Sequence, residues 1–295
     1  MHSIKFKAQT TFNIKLLLLS FFLIFLLLFI LRSTFSSSSP PPPTTTIEHQ
    51  SQSQLLQTTT PPTTSTTIPT CTKLPPSLAQ AITHYTTSNT TPQQTFSEIS
   101  ITTQVLDRKS PCNFLVFGLG HDSLMWSALN HGGRTVFLDE DKTWIDTIKK
   151  KFPELESYHV AYDTKVRQAD ELLELGKQNE CTALSDVRES KCRLALKGLP
   201  NMVYEVEWDL IMVDAPTGFM EDAPGRMSAI YTAGMMARMR SEGETDVFVH
   251  DCDRPVEDKF TKALLCEGYM VKQEGRLRHF TIPSHRSKEL PFCPA

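Results

Sequence analysis

Several absences narrow what this 295-residue chain can do. Thirty basic residues stand against 33 acidic ones, a formal charge of -3, so no excess of positive charge points to a nucleic-acid partner. None of the seven cysteines belongs to a Cys-x-x-Cys pair, which argues against a structural zinc site. No Tyr-x-x-x-Lys occurs, and position 123, where the dinucleotide fingerprint carries its third glycine, is Ser123. Together these two gaps weigh against a membrane-bound NAD(P) dehydrogenase.

What the chain does have is a strand-turn-helix-strand pattern between Asn113 and Asp141. Asn113 to Phe117 is an almost continuous apolar run, suited to a strand buried on both faces. Gly118 and Gly120 allow a sharp turn that can approach a ligand closely. Asp122 or Ser123 can cap the next helix, which carries its apolar stripe on Leu124, Met125, Ala128 and Leu129. His131-Gly132-Gly133 stops it. Thr135 to Leu138 is the next strand, and Asp139 with Glu140 falls about 20 residues past the glycines, where such folds place the acid that binds ribose hydroxyls. The spacing predicts an adenosine cofactor. A third glycine serves helix packing beneath a pyrophosphate, so Ser123 shifts the expectation from NAD to S-adenosylmethionine.

The N-terminus follows other rules. Leu16 to Leu31 is apolar apart from Ser20 and spans about 24 Å as a helix, which predicts a signal anchor rather than a cleaved signal peptide. Lys5, Lys7 and Lys15 precede it and only Arg32 follows closely, so residues 1–15 should be cytosolic and the remainder lumenal. Residues 32–75 are rich in Ser, Thr and Pro and read as a disordered stem. Residues 76–295 are then the lumenal domain. In an oxidising lumen some cysteines should pair, Cys181 with Cys192 first among them. Asn89-Thr90-Thr91 is a possible glycosylation acceptor there.

Along that domain, helices are expected over Leu78 to Tyr85, Phe96 to Leu106, Val166 to Leu175, Met227 to Met239 and Val256 to Leu265, with another around Trp144, Ile145 and Ile148. Strands are expected over Tyr158 to Tyr162, Trp208 to Val213 and Val247 to Val249, with a closing hairpin from Tyr269 to Val271 and Leu277 to Ile282. The polar segment 177–197 reads as an insertion. Alternating strands and helices predict an α/β domain, a parallel sheet with helices on both faces.

The runs CNFLVFGLGHDSLMWSALNHGGRTVFLDED, LESYHVAYDTKV, LALKGLP and WDLIMVDAP resemble the plant polysaccharide-biosynthesis methyltransferases, the glucuronoxylan 4-O-methyltransferases in particular. The resemblance covers roughly Cys71 to Cys293, and the anchor and stem share the family layout. It implies a Rossmann-like S-adenosylmethionine-dependent methyltransferase sheet behind a single Golgi membrane anchor. It also implies methyl transfer to O-4 of glucuronic acid on glucuronoxylan, beside a xylan synthesis complex. Arabinogalactan glucuronic acid is an alternative acceptor, and a non-catalytic scaffold for xylan assembly an alternative role.

Such chemistry needs a cofactor cradle, for which Gly118, Gly120, Asp139, Glu140 and Asp163 are the candidates. It needs help with the hydroxyl proton, from Asp214, His250 or His121. Asp214, Asp251 and Asp253 follow adjacent expected strands and could instead hold a divalent cation by oxygen ligands. Arginine's forked donors suit a uronate carboxylate, which singles out Arg226 and Arg254 ahead of Arg276 and Arg278.

Overall fold

Asn113–Phe117 forms β1, and four of its five residues are buried. Successive strand side chains point to opposite faces, so Phe114 and Val116 join one core layer while Leu115 and Phe117 join the other. Both faces are covered, which is why the run shows no polar alternation. The computed structural model describes residues 74–286 and 290–294. The expected tail and anchor, and the stem as far as residue 73, lie outside the described residues. No helix among those described is long and apolar enough to cross a membrane.

β1 pairs in parallel with β2 (Arg134–Asp139) on one side and β4 (Leu210–Val213) on the other; β3 (Glu156–His159) extends the sheet beyond β2, and β5 (Glu244–Val249) beyond β4. β7 (Leu277–Pro283) lies antiparallel beside β5 and forms a hairpin with β6 (Met270–Glu274). The order β3-β2-β1-β4-β5-β7-β6 is the expected Rossmann-like sheet, made mixed by its last two strands. Strand order reverses direction between β1 and β4, and a crevice opens at such a switch point, outside the carboxyl ends of the strands.

One face is covered by α1 (Pro76–Thr87), α2 (Phe96–Lys109), α3 (Ser123–Leu129) and α4 (Lys142–Lys151), whose Ile101, Val105, Trp126 and Ile148 pack with Phe114, Phe137 and Phe248. The other face carries α5 (Ala169–Gly176), α6 (Asn179–Thr182), α7 (Asn201–Glu205), α8 (Met227–Met239) and α9 (Pro255–Phe260). The methionine-rich α8 is buried along nearly its whole length, as a core helix.

Three expectations need correction. β3 begins and ends earlier than Tyr158 to Tyr162, because its pairing partner β2 runs out at the Asp139–His159 pair. Its first residue, Glu156, is held by a two-pronged bond from Arg134, a polar edge that apolar periodicity does not show. Segment 177–197 is no appended insertion, since Cys181, Cys192, Leu194 and Leu196 are buried in the main core. The helix expected over Val256 to Leu265 is α9 followed by a wider π turn from Thr261 to Cys266. Cys181 pairs with Cys192 as expected, and Cys266 pairs with Cys293.

Candidate active site

At the end of β1 the backbone of Gly118 takes φ +127°, a conformation that favours glycine, and a Cβ there would lie 3.3 Å from that of Ala215. The turn is closed from within, because the Gly120 amide donates to Ser123 Oγ at 2.9 Å. Ser123 therefore does more than lack the features of a glycine: it consumes a turn amide that a pyrophosphate would otherwise recruit. The side chain of Asp122, at the cap position, makes no capping bond and instead accepts from Trp126 Nε1 at 2.8 Å.

The acids after β2 hold the turn in place. Asp139 Oδ2 accepts from the Leu119 amide and its Oδ1 from the Asp141 amide, both at 2.9 Å, while burial outweighs these bonds and raises its carboxyl above the ordinary range. Glu140 Oε1 accepts from the amide and hydroxyl of Thr217, at 2.9 and 3.1 Å, and so ties β2 to the loop after β4. Trp144 Nε1 donates to the Leu119 carbonyl, and its ring meets that of His121 edge-on. Gly118, Gly120, His121, Asp122, Asp139 and Trp144 line one cavity of about 400 Å³, within the range of small-molecule sites. A second, of about 500 Å³, is lined by Glu140, Thr217, Phe219, Arg226, Asp251 and Arg254. Asp214 lines both.

Asp214 stands at the end of β4 with its oxygens already oriented. His250 Nδ1 lies 3.0 Å from Oδ1, Gln94 Nε2 donates to Oδ2 at 3.1 Å, and Arg226 Nη2 is 3.2 Å from Oδ1. Burial pushes its carboxyl up, but the His250 bond and the Arg226 charge win, and it stays below the usual carboxylate range. For Asp122 the balance is opposite: burial and then the Asp214 charge raise it, and the Trp126 bond does not compensate. Two carboxylates facing one cavity suit a ligand that brings positive charge. The glycine turn, the pocket size and this pair together fit S-adenosylmethionine, whose methionyl end is cationic.

The remaining candidates separate. His250 is wholly buried, its Nε2 lacks a hydrogen-bond partner among the described residues and lies 3.8 Å from Glu98 Oε1, so it stands behind Asp214. His121 is exposed at the mouth of the first cavity. Asp163 is exposed and lines neither cavity, because β3 ends four residues before it. Asp253 is likewise exposed and outside the cluster; among the described residues, Asp214, His250 and Asp251 are the groups whose ligand atoms lie within 4.8 Å of one another. Arg226 already bridges Asp214 and Asp251, 2.8 Å from Asp251 Oδ2, so a dication would share both carboxylates with a guanidinium.

Arg226 is buried and spends its donors on the Pro216, His250 and Asp214 carbonyls as well, which makes it a brace. Arg276 reaches Asp251 and the Gln93 carbonyl, and Arg278 is taken up by Asp258, Thr261 and Gln273. Arg254 differs: Nη2 pairs with Asp251 at 3.0 Å, while Nε and Nη1 have no hydrogen-bond partner among the described residues.

The segment before the sheet supplies what sequence reasoning missed. Gln94 orients Asp214, and Tyr85 donates to the His121 carbonyl at 2.7 Å and accepts from the Met125 amide. Glu98 accepts from the Thr95 amide and hydroxyl and from the Arg276 amide, fixing the α2 entrance against the β6–β7 turn. Thr95-x-x-Glu98 is a readable capping box, the one sequence signal that could have drawn attention there.

Residues 97–280 match the family model described as IRX15/IRX15L/GXM. The chain is 68% identical over 225 residues to glucuronoxylan 4-O-methyltransferase 3 of Arabidopsis thaliana, across 76% of each chain. Glucuronoxylan 4-O-methyltransferase 1 of the same plant is 69% identical over 230 residues, covering 76% of this chain and 82% of that one. Arabinogalactan O-methyltransferase 2, also from Arabidopsis thaliana, is 52% identical over 215 residues, covering 71% and 74%.

Proposed function

Since this chain belongs to the IRX15/IRX15L/GXM family, we propose that it is a glucuronoxylan 4-O-methyltransferase, using S-adenosylmethionine to methylate O-4 of the glucuronic acid side chains. The observation that carries the reading is the place of Asp214 on the shared wall of two cavities, one beside the glycine turn and one beside Arg254.

S-adenosylmethionine supplies an electrophilic methyl group on a sulfonium. The protein's part is to aim the acceptor oxygen and dispose of its proton. Asp214 is the group that can accept a hydrogen bond from the O-4 hydroxyl. A carboxylate held below its usual range is a weak base, so the proton transfers late, as the new C–O bond forms. His250, Gln94 and Arg226 keep the carboxylate from turning away. The free donors of Arg254 suit the uronate carboxylate, which would fix the sugar's orientation in the second cavity.

Location in the Golgi lumen behind a type II anchor is part of the proposal. The Leu16 to Leu31 run supports the anchor, and the two disulfides support an oxidising compartment. Partnership with a xylan synthesis complex rests on that location. Among the described residues, a divalent cation would draw on the cluster of Asp214 and Asp251, with His250 behind Asp214.

The test is to incubate the purified protein with labelled S-adenosylmethionine and, separately, glucuronoxylan or arabinogalactan, with and without chelator. Label on glucuronoxylan at O-4 is the expected result. Label on arabinogalactan alone would change the acceptor, and cofactor binding without transfer to either would make the chain a scaffold. Activity lost to chelator and restored by a divalent ion would assign the three-residue cluster to a cation.

A further inference from the structure

The loop between β4 and α8 holds an aromatic side chain in solvent with little freedom to withdraw it. Phe219 is 70% exposed and lines the second cavity, and Met220 beside it is 54% exposed. Single exposed apolar residues are ordinary on protein surfaces. Here, however, the surrounding loop is anchored at many points. The Thr217 amide is bound by Glu140 and the Thr217 carbonyl by the Gly225 amide; the Ala223 amide returns to the Met220 carbonyl. From the next layer, the Val166 and Arg167 amides donate to the Ala223 and Glu221 carbonyls, and Lys165 Nζ donates to the Asp222 carbonyl at 2.8 Å. At Gly218 a Cβ would come within 2.7 Å of Glu257 Oε1, so the backbone leading into Phe219 is seated directly against α9. The ring is therefore presented by a braced loop, at a cavity lip, with its entropy cost already met.

Its neighbour defines the chemistry. The Arg254 guanidinium lies 5.9 Å from the Phe219 ring centre, and that same guanidinium has Nε and Nη1 unpartnered among the described residues. An apolar plate next to a cation with free donors is complementary to one kind of ligand: a pyranose chain bearing a carboxylate, whose C–H face rests on the ring while the acid meets the guanidinium. Asp214, which lines the same cavity, would then face a hydroxyl of the charged sugar.

Building on the function proposed above, we propose that Phe219 is a specificity residue that stacks on a backbone pyranose of the acceptor polysaccharide, next to the glucuronic acid held by Arg254. The site thereby reads polymer and branch together, and free glucuronic acid gains only the Arg254 half of the contact.

The experiment measures binding of the full-length protein to glucuronoxylan by affinity electrophoresis, and to free glucuronic acid by competition, alongside methyl transfer. Phe219→Ala should weaken polymer affinity by on the order of tenfold, the scale of one lost aromatic contact, with a much smaller change for free glucuronic acid. Phe219→Trp should restore polymer affinity, and Leu184→Ala, which removes an exposed apolar side chain lining neither cavity, should leave it at the wild-type value. The inference is overturned if wild-type protein does not bind the polymer, if Phe219→Ala binds it as wild type does, or if polymer and free acid lose affinity equally. Methyl transfer reports separately on the enzyme reading: binding through Phe219 without transfer would remove that reading and keep this one, whereas transfer unaffected in affinity by Phe219→Ala would do the reverse.

Discussion

His250 Nδ1 lies 3.0 Å from Asp214 Oδ1, and the wholly buried imidazole communicates with the two cavities through that carboxylate. The histidine is thus a positioning residue, and its removal should be felt as a change in Asp214. Asp214→Asn should cut turnover by about 10²–10⁴-fold, the usual scale for losing a general base. His250→Gln should cost less and leave S-adenosylmethionine affinity nearly unchanged. It should also move the acid limb of the pH–rate profile to higher pH, because the His250 bond is one of the influences holding Asp214 low. Rate depends on ionised Asp214, so it falls as pH drops through that group, and raising the group moves the fall upward. Steady-state rates across pH for both variants are the check; a His250→Gln profile that keeps its wild-type shape would remove the link.

Asp139 works on the cofactor side. Its two oxygens hold the Leu119 and Asp141 amides, so Asp139→Ala frees the glycine turn and the start of α4 together. Leaving the buried Leu119 amide unpaired costs roughly 1–3 kcal/mol, enough to weaken S-adenosylmethionine binding by about tenfold. Turnover at saturating cofactor should move far less than in Asp214→Asn. Calorimetric binding compared with saturated rates separates the two roles, and equal, small effects from both variants would contradict this division of the site.

The parallel core was legible because a strand buried on both faces must be apolar throughout, and Asn113 to Phe117 and Trp208 to Val213 carry that mark. The glycine turn and the acids beyond it were legible through fixed spacing. Contacts made across the sheet were not. Glu98 and His250 are separated by 152 positions, and nothing in residue order brings a helix-capping glutamate to the end of β5. Arg226 and Arg254 look equivalent as text, and only the carbonyls around Arg226 show that its donors are spent. Asp163 misled for the same reason in reverse: its place depended on where β3 stops, which pairing with β2 decides.

The C-terminal residues are held by two devices. Cys293 is bonded to Cys266, and the buried Arg238 donates to the Phe292 carbonyl while its guanidinium lies 4.0 Å from the centre of the Phe292 ring. Cross-linking residues 27 apart restricts the unfolded chain, so Cys293→Ser should lower stability by about 2–4 kcal/mol. The measurement is the denaturant midpoint of the variant against wild type. An unchanged midpoint would assign the hold on the tail to Arg238 alone.

Burial and the charge of Asp214 raise the Asp122 carboxyl, in a cavity argued above to take a cationic ligand. Positive charge entering that cavity favours the ionised carboxylate, so binding and deprotonation of Asp122 are linked. Affinity for S-adenosylmethionine should therefore be weaker below the raised value for Asp122 and should increase as pH rises through it. Proton release should accompany binding in that window. Asp122→Asn removes the titrating group and should flatten the dependence, at the affinity that the neutral side chain supports. Calorimetry in buffers of different ionisation enthalpy counts the protons directly. A wild-type affinity that does not rise with pH above the ordinary carboxylate range, or a slope that survives in Asp122→Asn, would show that the cationic end of the cofactor is neutralised elsewhere.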